Sequence, residues 1–441
     1  MNSYFQITGG TRLHGTVRLG GAKNASYKLM IAALLGTQES RILNFSHISD
    51  VELVAKIINY LGGKAKPAGE RALFIDPTGL KSHVIQADHG NQGRFSTMFI
   101  PVLLHRFGQA IVPAPGGDKI GTRSLERHFQ GLQALGAKIE FKDGLFYAQA
   151  DQLVGTNYRF EKNTHTGTET LILAACCAQG RTTLENAARE PEIDDLITFL
   201  NKMGAHILRT AERTIQIDGV KKLGGAIHSL IPDRNEAVSY ACAALATKGD
   251  VIIENARAPH LQAFLEKVAA IGGGYEIGDY GIRFFYQGQL QATNVQTAVE
   301  PGFMTDWQPL WATLMTQAQG TSIIHETVMS NRFQYTQELT QMGAKIELFN
   351  PEIAQRETVY NFNLDDDRPE YYHALKIAGP TQLLAGNYTV KDLRHGASLV
   401  LAAMIAKGTS LIAGIEQIER GYEKLDERLN SMGASIQKVT K

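Results

Sequence analysis

Cationic and carboxylate side chains cluster in this sequence. Lys23 and Asn24 precede Ala25, Arg94 sits in Gly93-Arg-Phe-Ser96, and Asp233 and Glu236 open an alanine-rich run. Asp306 sits in Met304-Thr-Asp-Trp307, and Asp392 stands two residues before Arg394. In each place an apolar helix is expected to begin. The starts of a second, more polar set of helices add Arg123, Glu190, Arg332 and Arg420. A helix start presents unpaired N–H groups and partial positive charge, so with Lys and Arg beside it, it suits a phosphate or carboxylate ligand. One such arginine alone reads as a surface ion pair worth little. The recurrence points instead to several helix ends that serve a small polyanion.

A second unusual stretch is Pro113-Ala-Pro-Gly-Gly-Asp-Lys-Ile-Gly-Thr-Arg123. Pro and Gly do not readily continue a helix, so residues 113–123 read either as a simple turn or as an excursion able to close over a ligand. The stretch lacks the Gly-Lys-Ser/Thr ending of a Walker loop.

The elements that position these residues repeat. Leu61-Gly-Gly, Leu135-Gly-Ala, Met203-Gly-Ala, Ile271-Gly-Gly, Met342-Gly-Ala and Met432-Gly-Ala each follow an amphipathic stretch, as a helix-ending glycine does. A second marker, Gly36, Gly108, Gly180, Gly249, Gly320 or Gly408, ends an apolar run ahead of each and opens a β-branched stretch. From marker to tripeptide glycine the numbering advances 26, 28, 24, 23, 23 and 25 residues. The unit is helix, strand, helix, strand, with further strand before the next unit. First helices such as Glu236-Ala-Val-Ser-Tyr-Ala-Cys-Ala are small-residue-rich on several faces, which predicts packing on all sides; the second helices keep a polar face. The last interval is longer and predicts an insertion within 351–386, where Asp365-Asp-Asp-Arg-Pro-Glu reads as a solvated surface loop.

At 441 residues with 44% apolar side chains, two domains are expected. The 44 basic and 44 acidic residues cancel, so no global field favours nucleic acid or an anionic membrane. No apolar run approaches a membrane span, and the opening lacks a signal-peptide pattern, so a cytoplasmic protein is expected. Cys176, Cys177 and Cys242 lie in Ala/Leu-rich runs and read as small hydrophobes, not as a disulfide, metal ligands or a nucleophile.

Eight ordered motifs carry a resemblance. Gly21-Ala-Lys-Asn24, Gly116-Gly-Asp-Lys-Ile-Gly-Thr-Arg123, Asn186-Ala-Ala-Arg-Glu-Pro-Glu-Ile193, Pro232-Asp-Arg234, Phe303-Met-Thr-Asp306, Asn331-Arg-Phe333, Asp392-Leu-Arg394 and Arg420-Gly-Tyr-Glu423 span nearly the whole chain. Together they resemble the UDP-N-acetylglucosamine enolpyruvyl transferases, relatives of 5-enolpyruvylshikimate-3-phosphate synthase. The resemblance implies a two-domain inverse α/β barrel, each domain built of three βαβαββ-type units around buried helices. It places residues 20–232 in the first domain, with the mobile loop 113–123, and residues 1–19 with 233–441 in the second. The active site is then expected in the interdomain cleft.

The reaction so implied moves the enolpyruvyl group of phosphoenolpyruvate to the 3-hydroxyl of UDP-N-acetylglucosamine, releases phosphate, opens peptidoglycan synthesis, and needs no cofactor or metal. By resemblance, Asp118 matches the acid that protonates C3 and Asp306 the carboxylate beside the sugar hydroxyl. Lys23, Arg123 and Arg420 match phosphate contacts, and Lys23 is counted with the catalytic set. Arg332 and Arg394 match the group facing the carboxylate of phosphoenolpyruvate. Asn24, Arg94, Arg123, Ser124, Leu125, Glu126, Thr166, Gly167 and Asp306 are the expected contacts of the nucleotide sugar.

Three departures stand out. Most relatives carry cysteine where this chain has Asp118, so fosfomycin, which reacts with that thiol, is expected to leave this protein unmodified. Arg123-Ser-Leu-Glu126 replaces the family's Arg-Pro-Val-Asp, and the loop Thr164-His-Thr-Gly-Thr168 replaces Ser-Val-Gly-Ala-Thr. His165 there is either a phosphate contact or a solvent-facing loop histidine. These changes leave open another nucleotide or nucleotide sugar as acceptor. They also leave open a non-catalytic paralogue that binds a nucleotide sugar, and a helical-repeat scaffold. The shikimate-pathway reaction fits less well, because Gly21-Ala-Lys-Asn24 stands where Gly-Asp-Lys-Ser is expected.

Overall fold

The computed structural model of the chain describes residues 3–90, 93–116 and 124–440. Six helices form its framework: Lys23–Ala33, Phe99–Phe107, His165–Ala175, Arg234–Ala246, Gln308–Met315 and Leu393–Ile405. Every residue of Arg234–Ala246 and of Gln308–Met315 is buried. Alanine suits such positions because it loses no side-chain entropy and lets neighbouring backbones approach. Side-chain caps fix three of the starts. Asp233 accepts from the amides of Asn235 and Glu236 at 2.7 and 3.1 Å, Asp392 from those of Arg394 and His395 at 3.0 and 3.1 Å, and Thr164 from that of Gly167 at 3.2 Å. Each cap stabilises its helix by about 1 kcal/mol.

The six second helices are Ser49–Tyr60, Glu126–Ala134, Pro191–Lys202, Gln262–Ala270, Thr336–Gln341 and Leu425–Ser431. They are one-sided: Pro191–Lys202 buries Ile193, Leu196, Phe199 and Leu200 while Asp194 and Thr198 face solvent. All six end at the tripeptide glycine, whose φ runs from +75° at Gly272 to +103° at Gly204, a region closed to most side chains. The marker glycines divide in their reasons. Gly108, Gly180, Gly320 and Gly408 also have positive φ. At Gly36 and Gly249 the cause is space, since a Cβ would lie 2.3 Å from the Gly224 carbonyl oxygen and 2.2 Å from that of Leu13.

Five of the six described sheets have four strands and follow a βαβαββ unit, as His165–Ala175 illustrates; in the three-stranded sheet of Gln109–Pro113 the edge strand is reduced to a single bridge between Val84 and Ile111. Asn157–Arg159 precedes that helix and pairs in parallel with Arg181–Glu185, which follows it; Thr214–Asp218 pairs antiparallel with Arg181–Glu185 and with His206–Ala211. The parallel edge strand comes from the preceding unit. In residues 20–231 this closes a circle, because Ile227–Ser229 at the end of the third unit runs parallel to Ser40–Leu43 of the first. In residues 232–440 the opening of the chain supplies two strands: His14–Arg18 lies parallel to Asp250–Glu254, and Ser3–Thr8 lies between Thr409–Ala413 and Ser435–Thr440, antiparallel to both.

By internal contacts the chain divides into two compact units, residues 20–116 with 124–231 and residues 3–19 with 232–440. Each has its own hydrophobic core. Among the described residues no helix is long and apolar enough to cross a membrane.

The run 365–370 lies largely at the surface, as expected, while the insertion around it is packed. Asp365, Arg368 and Glu370 are exposed, but Asp367 accepts from Arg356 and lies 3.0 Å from His373 Nε2. Tyr360 and Phe362 are buried beside it with ring centroids 4.8 Å apart. The aromatics, spaced among polar residues without helical or strand period, gather into a small packed lobe that periodicity does not reveal.

Candidate active site

In the unit of residues 20–231, Lys23 and Asn24 are the first two residues of Lys23–Ala33. Lys23 Nζ lies 2.9 Å from Asp50 Oδ2, in the first turn of Ser49–Tyr60, so the start of one helix carries the cation and the start of the next its counter-charge. Arg94 is partly buried, with the short turn Ser96–Met98 between it and Phe99–Phe107. It faces His128, whose pKa falls to about 3 through burial and the nearby charges of Arg94, Arg127 and Lys28. Ser124, Leu125 and Glu126 lead into Glu126–Ala134, with Ser124 Oγ accepting from the Glu126 amide at 3.1 Å.

Residues 164–168 are not a loop. Thr164 is the N-cap and His165, Thr166, Gly167 and Thr168 form the first turn of a helix. The polar segment and its glycine suggest a loop by composition, but the Thr164 hydroxyl supplies the cap that a helix start requires. The expectation of a solvent-facing His165 is likewise corrected. Its side chain is 21% exposed and lies 3.2 Å from Glu169 Oε1 and 3.3 Å from Lys28 Nζ. Burial and Lys28 disfavour the imidazolium, but Glu169 and Glu190 outweigh them and hold its pKa above the usual histidine value. Lys28 in turn lies 2.5 Å from Glu169 Oε2, with side chains 2% and 0% exposed. Neither residue is among the sequence candidates. Their signal is one charge inside each of two otherwise apolar helix bodies.

In the unit of residues 232–440, the structure brings Asp306 and Arg394 together. Asp306 Oδ2 accepts from Arg394 Nε and Nη2 at 3.2 and 3.1 Å. Asp306 is 25% exposed, while Arg394 is buried at the start of Leu393–Ile405. The other side of that guanidinium donates to the Tyr422 hydroxyl at 3.0 Å, which is 2.8 Å from Ser239 Oγ. Burial works against the charge on Arg394, but Tyr422, Asp306 and Asp233 more than offset it and keep the guanidinium protonated. Tyr422 belongs to the motif Arg420-Gly-Tyr-Glu423, though its partners are set by the fold. Arg332 is buried 3.5 Å from Asp392, the cap of Leu393–Ile405. Glu326 accepts from the amides of Val328 and Met329 and from Thr305 Oγ1; burial raises its pKa against these bonds and nearby Arg332. Arg420 does not open a second helix. It follows the short helix Glu416–Glu419 and precedes Leu425–Ser431.

Asp118 and Arg123 lie outside the described residues, as does most of the expected closing loop. Among the described residues no group of His, Cys, Asp and Glu could hold a metal ion. The three cysteines are free thiols; Cys176 and Cys242 are buried, and Cys177 is partly so.

Comparison with known proteins fits this layout. Residues 7–429 match the EPSP synthase (3-phosphoshikimate 1-carboxyvinyltransferase) family. The UDP-N-acetylglucosamine 1-carboxyvinyltransferase of Protochlamydia amoebophila (strain UWE25) is 38% identical over 98% of this chain and 94% of its own length. The protein of that name from Chlamydia muridarum is 39% identical over 98% and 97%. Among solved structures, the enolpyruvyl transferase NikO from Streptomyces tendae superposes with a TM-score of 0.86 at 22% identity, covering 100% of this chain and 99% of that one. EPSP synthase from Acinetobacter baumannii gives 0.72 at 16% identity with full coverage of both. These structures share the two-domain fold. By sequence and by fold, the chain belongs to the EPSP synthase family of enolpyruvyl transferases.

Proposed function

We propose that this protein transfers the enolpyruvyl group of phosphoenolpyruvate to the 3-hydroxyl of UDP-N-acetylglucosamine and releases phosphate, the first committed step of peptidoglycan synthesis. The observation that carries the reading is near-full-length identity of 38% to a protein named for that transfer. Charged substrates of this kind do not cross a bilayer unaided, and we place the reaction in the cytoplasm.

The chemistry is addition followed by elimination. The sugar oxygen bonds to C2 as C3 gains a proton; phosphate then leaves C2 as C3 returns a proton to the Asp118 carboxylate. Asp306, oriented by Arg394, takes the hydroxyl proton, and Asp118 supplies the proton to C3. An acid role for Asp118 requires water to be excluded around it, against the pull of Lys119 and Arg123. Lys23, Arg123 and Arg420 hold the phosphate, and Arg332 and Arg394 the carboxylate. Asn24, Arg94, Arg123, Ser124, Leu125, Glu126, Thr166 and Gly167 receive the nucleotide sugar. Fosfomycin finds a carboxylate at position 118 in place of a reactive thiol.

The test is phosphate release from phosphoenolpyruvate. It is expected only when UDP-N-acetylglucosamine is present, and folded protein that releases none at any pH contradicts the proposal.

A further inference from the structure

The Lys28, Glu169 and His165 cluster has no part in the reaction just described, yet its ion pair is sealed from water beside expected ligand contacts. Lys28 lies in the body of Lys23–Ala33, whose first two residues are Lys23 and Asn24. Glu169 and His165 lie on one face of His165–Ala175, one turn apart, and the same turn carries Thr166 and Gly167. The cluster therefore ties two helices together next to the ends at which both are expected to meet substrate.

Its charges favour one arrangement. Lys28 and His165 share one carboxylate that has no exposure to water, and Glu190 adds a second negative charge near His165. A buried pair of this kind holds position because any displacement leaves a charge without its partner. Thr164 takes the Gly167 amide and its carbonyl takes that of Thr168, which orients the amides of His165 and Thr166 outward, as at any helix start. A lateral shift of this turn would move those donors away from an anion.

We propose that Lys28, Glu169 and His165 are positioning residues for the acceptor: they fix the first turn of His165–Ala175 relative to Lys23–Ala33 and thereby set affinity for the diphosphate-bearing sugar nucleotide. This rests on the function proposed above only in its choice of acceptor. It adds residues that resemblance does not supply, and it locates the tuning of acceptor affinity in a buried pair behind the contact surface.

Calorimetric binding of UDP-N-acetylglucosamine tests it, with the KM for phosphoenolpyruvate as the second readout. The double variant Lys28→Met/Glu169→Gln removes both charges of the ion pair. It is expected to bind UDP-N-acetylglucosamine about tenfold more weakly, as misplaced positioning groups do, with less than about a twofold change in KM for phosphoenolpyruvate. A merely structural pair would lower the melting temperature and leave the affinity ratio alone. Wild-type affinity in the folded double variant overturns the proposal. Should that variant not fold, His165→Gln, which keeps the ion pair, carries the test: about threefold weaker binding supports it and unchanged binding overturns it. Wild-type protein that binds UDP-N-acetylglucosamine without turning it over overturns the function but not the positioning role; wild-type protein that does not bind it overturns both.

Discussion

Asp306 with Arg394, and Lys28 with Glu169, are both carboxylate–cation pairs on inner helices, the first where two helices begin and the second within two helix bodies, and they differ in what water can reach. Asp306 is 25% exposed and its cation is secured from behind by Tyr422 and Ser239. Lys28 and Glu169 are sealed from solvent. A carboxylate that substrate can touch has a use in proton transfer, whereas a sealed pair acts only through the geometry it imposes. Burial thus separates a pair suited to chemistry from one suited to positioning.

The largest effect separates the two pairs by turnover. Asp306→Asn keeps the shape and removes the proposed base, and kcat is expected to fall by roughly 10²- to 10⁴-fold in phosphate-release assays. Next is the effect on stability. Lys28→Met removes the nearer partner of a buried carboxylate and is expected to cost about 3–5 kcal/mol in denaturant unfolding, while the double variant with Glu169→Gln recovers most of it. A smaller effect probes the support behind Arg394. Tyr422→Phe removes the hydroxyl between that guanidinium and Ser239, with an expected loss of roughly 1.5–3 kcal/mol in transition-state stabilisation, read as kcat/KM.

The smallest is a pH effect at His165. Its pKa is raised on folding, so its stabilising contribution is fully present below the ordinary value near 6.5 and is lost as pH rises through the folded value. The stability difference between wild type and His165→Gln is therefore expected to be largest near pH 6 and to shrink toward alkaline pH. A difference that grows with pH would contradict the assigned direction.

Much of this was legible from residue order. Gly62, Gly136, Gly204, Gly272, Gly343 and Gly433 mark helix ends because positive φ excludes other residues, and that local cause survives any tertiary context. Asp392 and Asp233 announce helix starts for the same local reason. Thr164 has the same role, but the glycine three residues on masks it, and the segment reads as a loop. The Lys28–Glu169 pair is legible only as two oddities, because residues so distant in sequence meet through helix packing. Tyr422 is visible within a motif, but its bridge from Arg394 to Ser239 depends on three separate elements meeting.

The most direct test places Asp306→Asn and Lys28→Met/Glu169→Gln side by side, with single-turnover rate and UDP-N-acetylglucosamine affinity measured on each. The predicted result is a crossed pattern. Asp306→Asn loses its rate by roughly 10²-fold or more with less than about a tenfold change in affinity, and the double variant loses about tenfold in affinity with the larger part of its rate intact at saturation. Rate and affinity falling together, in the same proportion in both variants, would contradict the division of labour between the two pairs.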